Sequence, residues 1–197
     1  MHSILKIMTT KTTAKKTTTK IVELPPHPFA FEVFDLVSKQ RSAAKKAEVL
    51  QKYNHPSIRA LLIWNYDESV KTLLPEGPVP YGGFDEQTVL KGNLTGKITE
   101  EIRDMYEKGN VSVADEKQGR TTIEREYKNF YNFIKGGNDS LKSLRRESMF
   151  INMLTGLHPL EAEILILVKD KKLGDKYKIT QSDVSKAFPT IQWGGRS

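Results

Sequence analysis

A chain of 197 residues is long enough for one sizeable core or two small ones, and its lack of cysteine excludes disulfides, thiolate metal ligands and cysteine nucleophiles. The net charge of +7 is unevenly placed: Lys6, Lys11, Lys15, Lys16 and Lys20 lie in residues 1–20, which hold no acidic residue, leaving +2 for residues 21–197. A nucleic-acid partner inferred from overall basicity therefore rests on one end of the chain, beside a nearly balanced body.

The opening "MHSILKIM" is too short and too broken by Lys6 for a secretory segment, and no later apolar run reaches the roughly 18 residues that span a bilayer. These features predict a soluble protein of a reducing cytosol with no membrane partner; Met8 is an alternative start. The Thr/Lys tract "MTTKTTAKKTTTK" has no apolar periodicity and predicts a disordered arm over residues 1–22. "VELPPHP" then makes a stiff, extended lead-in, because each proline fixes its own φ and disfavours helix in the residue before it.

A helical unit is predicted over residues 23–68. Ala30, Val33, Phe34 and Val37 recur at helical spacing, Ala43, Ala47, Leu50 and Tyr53 form a second stripe, and Pro56 opens a third helix carrying Ile58, Leu61 and Leu62. Residues 69–97 predict a proline/glycine-rich connection, since "LLPEGPVPYGG" holds three prolines and three glycines in eleven residues. It is either a strap packed on the body or a docking segment for a partner.

A second helical unit is predicted over residues 98–197. A helix from Thr99 to Gly109 carries Ile102, Met105 and Tyr106. "TTIEREYKNFYNFIKGG" predicts a helix with a Thr121–Glu124 capping box, a stripe of Ile123, Tyr127, Phe130, Tyr131 and Ile134, and a stop at Gly136 and Gly137. Leu141, Leu144, Ile151 and Leu154 give the next stripe, "HPLEAEILILVKD" a buried helix, and Thr180 with Asp183 a short last helix ended by Pro189. Whether the two units share one core is left open by the pattern.

Three of the four histidines, His27, His55 and His158, each precede a proline and an apolar run. Proline is favoured at the first helical position, so each histidine is expected at a helix start, where a neutral imidazole accepts a backbone N–H and resists protonation. Separations of 28 and 103 residues supply no local metal-ligand spacing.

Other chemistry is sparse. "GNLTGKI" fails as a phosphate loop, because Gly92 and Lys97 are one residue too close and Ile98 stands where Ser or Thr is needed. Glu124 and Glu126, and likewise Glu161 and Glu163, point to different faces of their helices and do not converge unaided. Arg125, Lys128 and Lys135 sit among aromatic residues, but the shared stripe favours core packing over a base-stacking platform. The main basic patch of the body is "KDKKLGDKYK", where Lys169, Lys171, Lys172, Lys176 and Lys178 outnumber Asp170 and Asp175; it reads as a loop too long for a helix-turn-helix turn.

"FEVFDLVSKQRSAAKKAEVLQKY", "LLPEGPVPY", "LHPLEAEILILVKDKKLGDKYKIT" and "VSKAFP" resemble an uncharacterised family of small proteins encoded by large tailed bacteriophages, over most of residues 27–189. The resemblance implies a phage protein in the host cytoplasm or associated with the virion, and carries no activity, cofactor or site residue. The combined expectation is a mainly α fold of short helices in two small units behind a disordered basic arm. Functionally it is a non-enzymatic accessory binding protein without cofactor, metal or catalytic residues. DNA or RNA would be held through Lys11, Lys15, Lys16, Lys20, Lys169, Lys171, Lys172, Lys176 and Lys178. The alternative is a protein-interaction or virion component docking on a phage or host protein.

Overall fold

The computed structural model describes residues 22–82, 92–109 and 119–196. The Thr/Lys tract with Lys11, Lys15, Lys16 and Lys20 lies outside the described residues. Among those described the fold is all-helical, with nine α-helices, one 3-10 helix and no strand beyond a single bridge pairing Thr72 with Ile134.

The first three helices form where apolar periodicity and capping agree. α1 (Ala30–Ser38) buries Ala30, Val33, Phe34 and Val37. α2 (Ala43–Lys52) starts at Ser42, whose side chain accepts the Lys45 N–H, and buries Ala47 and Leu50. α3 (Pro56–Tyr66) buries Ile58, Leu61, Leu62 and Trp64.

The later helices depart from the sequence reading in instructive ways. α4 (Leu94–Glu107) begins five residues before Thr99, inside the stretch assigned to the connection, because the Asn93 side chain accepts the Gly96 N–H and Leu94 and Ile98 extend the buried stripe of Ile102 and Met105. The aromatic stretch is one α turn, α5 (Ile123–Glu126), followed by a 3-10 helix over Tyr127–Phe133. No capping box forms there: the Thr121 hydroxyl donates to Glu126 instead. Three residues per turn bring Tyr127, Phe130 and Phe133 into line, so Phe130 and Phe133 are buried while Tyr131 is 50% exposed. The stretch ends where a Cβ on Gly137 would fall 2.0 Å from the Tyr131 carbonyl oxygen, a closeness only glycine permits. Buried Arg146 then ties this turn down, its guanidinium donating to the carbonyls of Asn132, Asn138 and Leu141.

α6 (Ser143–Gly156) buries Phe150, Met153 and Leu154, whereas Leu144, expected on its apolar stripe, is 69% exposed. α7 (Pro159–Lys169) is the central element. Leu160, Ala162, Ile164, Leu165 and Val168 are all buried, and the helix packs on α1, α3, α4 and α6 and on α8 (Leu173–Tyr177). α9 (Gln181–Ala187) has the expected Thr180–Asp183 capping box and packs on α2. The buried residues on both sides of the proline-rich connection thus belong to one hydrophobic core.

Residues 69–82 of the connection pack on that core as a strap. Val79 is buried, Leu74 and Tyr81 pack partly buried against the core, and the Lys169 ammonium donates to the carbonyls of Pro75 and Gly77, each at 2.8 Å. Among the described residues no helix is long and apolar enough to cross a membrane.

Candidate functional site

Two of the three His-Pro pairs start helices. His55 is the N-cap of α3, its Nδ1 accepting the Ser57 N–H at 3.1 Å; His158 is the N-cap of α7, its Nδ1 accepting the Leu160 N–H at 3.1 Å. His27 does not start one. α1 begins two residues beyond Pro28, because the Glu32 carboxylate takes the Phe29 N–H and the Glu161 carboxylate takes the Ala30 N–H at 3.0 Å. One acceptor within α1 and one from α7 set this helix start, and His27 is left in the lead-in with a left-handed backbone at φ +54°.

In that position His27 meets chemistry brought from elsewhere. Its Nδ1 lies 2.9 Å from Glu124 Oε1 on α5, and His55 Nε2 lies 3.6 Å from the same oxygen. The Ser57 N–H on His55 Nδ1 assigns the neutral tautomer in which Nε2 carries the proton toward Glu124. These groups line a cleft of about 620 Å³ whose rim also carries Lys52, Asn54 and Arg125. Its floor is core: Ala30, Val33, Ser57, Ile58 and Glu161 are all buried. Lys52 pairs with Glu23 at 3.4 Å in an exposed contact and lies 5.6 Å from the centre of the Tyr53 ring, and among the described residues no carboxylate lies within 4.0 Å of the Arg125 guanidinium. Imidazole, ammonium and guanidinium groups in a cleft are of the chemical kind that can hold an anion or pass a proton. Among the described residues no group of three His, Asp or Glu side chains is placed to hold a metal ion.

Glu161 anchors the floor. Its Oε2 accepts the Ala30 N–H and its Oε1 the Ile123 N–H at 2.9 Å, so one carboxylate caps α1 and α5 together. Burial pushes its pKa up to about 7, against the two backbone N–H groups that favour the charged form. His158 lies in the interior, its ring 4.8 Å from that of Phe31 and 5.4 Å from that of Phe29, and burial holds its pKa down at about 4. Its Nε2 is buried without a hydrogen-bond partner among the described residues. The expected resistance to protonation is thus met at His158.

Two of the five lysines of the basic patch are spent on structure. Lys169 is a correction: its side chain is 1% exposed, with the ammonium on the strap carbonyls and Asp170, so it has no face for a nucleic acid. Lys171 is a second correction, since its ammonium donates to the carbonyls of Trp64 and Asp67 at the end of α3. Lys172, Lys176 and Lys178 are exposed, with Lys176 paired to Glu163. The segment is not a plain loop, because Leu173 and Tyr177 anchor α8 within it.

No single-sequence signal pointed to the cleft. Glu124 stands 97 residues from His27, Arg125 reads only with the aromatic residues of its own stretch, and nothing singles out Lys52. The described residues define an all-helical, one-core protein with a histidine-rimmed cleft. Residues 33–120 and 87–175 match the model of a family of unknown function (DUF6433), together well over half of the chain, and the protein belongs to that family. Neither a curated protein nor a solved structure matches it.

Proposed function

We propose that this is a non-enzymatic bacteriophage accessory protein of the host cytoplasm that binds DNA or RNA, with the cleft taking one of its phosphates. The observation that carries the reading is the gathering of Lys52, Arg125, His27 and His55, from three separate stretches of chain, around one cleft. Phosphate neutralisation by such groups is what holds nucleic acid irrespective of sequence. Lys11, Lys15, Lys16 and Lys20 of the tract, with exposed Lys172, Lys176 and Lys178, add further positive charge. The phage setting rests on the resemblance of the quoted segments.

The test is oligonucleotide binding as a function of salt. The logarithm of the affinity is expected to fall linearly with the logarithm of salt. Deleting residues 1–20 reduces that slope by several units, and Arg125→Ala by about one unit. No binding of single- or double-stranded DNA or RNA at low salt would refute the reading.

A further inference from the structure

The Glu124 carboxylate holds an unusual place in the cleft. One of its oxygens serves two imidazoles, His27 at 2.9 Å and His55 at 3.6 Å. His27 reaches it only by adopting a left-handed backbone between two prolines, a conformation disfavoured for a non-glycine residue. The donors outnumber what this carboxylate takes up: among the described residues Arg125 has no carboxylate within 4.0 Å, and the one ion pair of Lys52 is its exposed contact with Glu23. We propose that the cleft is a site for a phosphate monoester, such as the phosphorylated end of a nucleic-acid chain, and that the phosphate exchanges with the Glu124 carboxylate between His27, His55, Lys52 and Arg125. This rests on the nucleic-acid reading for the source of the phosphate but not for the site.

A monoester fits better than an internal diester for two reasons. The floor of the cleft is core, with Val33 1% and Ile58 3% exposed, so a strand running past touches only the rim whereas a chain end enters. A monoester also offers three terminal oxygens and up to two charges, matching a set of four donors that one carboxylate oxygen leaves largely unused. Exchange, rather than addition, follows from charge. With Glu161 already on the floor, a phosphate beside an undisplaced Glu124 would face two carboxylates in a partly enclosed space. The charged and titratable groups around the phosphate are then Lys52, Arg125, His27 and His55 in its favour, Glu23, Glu124 and Glu161 against it, and the Tyr53 phenol on the same lining.

The experiment titrates the full chain with inorganic phosphate, a nucleoside 5′-monophosphate, and one oligonucleotide with and without a terminal phosphate, following the histidine ring resonances and the affinity. Glu124→Gln, which keeps shape and removes the competing charge, is expected to tighten phosphate and monophosphate binding about 3- to 10-fold. Arg125→Ala is expected to weaken it about 5-fold or more. The terminally phosphorylated oligonucleotide is expected to bind better than its unphosphorylated twin. Weaker binding by folded Glu124→Gln, or no response of either histidine to millimolar phosphate, overturns the proposal. If the two oligonucleotides bind equally and phosphate does not compete, the monoester site falls while the nucleic-acid reading stands. If phosphate binds as described and no oligonucleotide does, the site stands and the nucleic-acid reading falls.

Discussion

The same dipeptide, histidine before proline at the start of a helix, is put to opposite uses in two parts of this protein. At His158 the imidazole caps α7 from inside the core, packed against Phe29 and Phe31, and is kept uncharged by its surroundings. At His55 the same capping geometry leaves the second ring nitrogen facing Glu124 in an open cleft. Capping uses one nitrogen of a histidine; where the other nitrogen ends up decides whether the residue is structural or chemical. The interior corner is consequently expected to govern stability and the cleft to govern binding, and substitutions separate the two.

The largest effect is expected at Glu161. Glu161→Leu strands the Ala30 and Ile123 N–H groups in the interior and should cost about 2–4 kcal/mol, visible as a lower urea midpoint. A loss under about 1 kcal/mol would mean that the two helix starts find other acceptors.

Next comes pH. The native state binds the Glu161 proton more tightly than the unfolded chain, so this residue lowers stability as pH rises from 4.5 to about 7. The native state binds the His158 proton less tightly, so that residue raises stability as pH rises from about 4 to 6.5. The two oppose each other over most of one window, each on the order of 2–3 kcal/mol. The unmodified protein should therefore show a shallow profile. Glu161→Gln should leave stability climbing with pH, and His158→Asn should leave it falling; melting temperatures between pH 4.5 and 7 decide. Slopes of the same sign in both variants would break the assignment.

His158→Ala should cost about 2 kcal/mol, the loss of a cap plus ring packing, and His158→Asn less, because asparagine restores the cap. In the cleft the effects are smaller. His55→Ala is expected to cost about 1 kcal/mol as a lost cap, and His27→Asn to change stability by less than about 0.5 kcal/mol, since asparagine tolerates the left-handed backbone. Chemical denaturation of both variants checks this. A loss well above 1 kcal/mol at His27 would move it to the structural side of the comparison.

The helices that the sequence makes legible are those whose caps and stripes are local: Ser42 and His55 open α2 and α3, and Thr180 with Asp183 opens α9. Legibility fails where the deciding partner is distant. Nothing near residue 30 announces that Glu161 caps α1, and a 3.6-residue count applied to Tyr127–Phe133 misplaces Tyr131, because the chain there winds three to the turn. The cleft is illegible for the same reason, being assembled from the lead-in, the α2–α3 junction and α5. Lysine composition overstated the basic patch because an ammonium buried on carbonyls counts the same in a sequence as one in water.

The contact of α2 with α9 has a kinetic consequence. Lys46 donates to the Lys178 carbonyl across 132 residues, and Gln51 to the Ala187 carbonyl at 3.0 Å across 136 residues. Helical proteins are usually fast folders because their contacts are local, whereas joining segments this far apart requires closing a loop of about two thirds of the chain before that contact rewards it. Refolding should accordingly be slow for so helical a molecule, with helix content recovering well before α2 docks on α9.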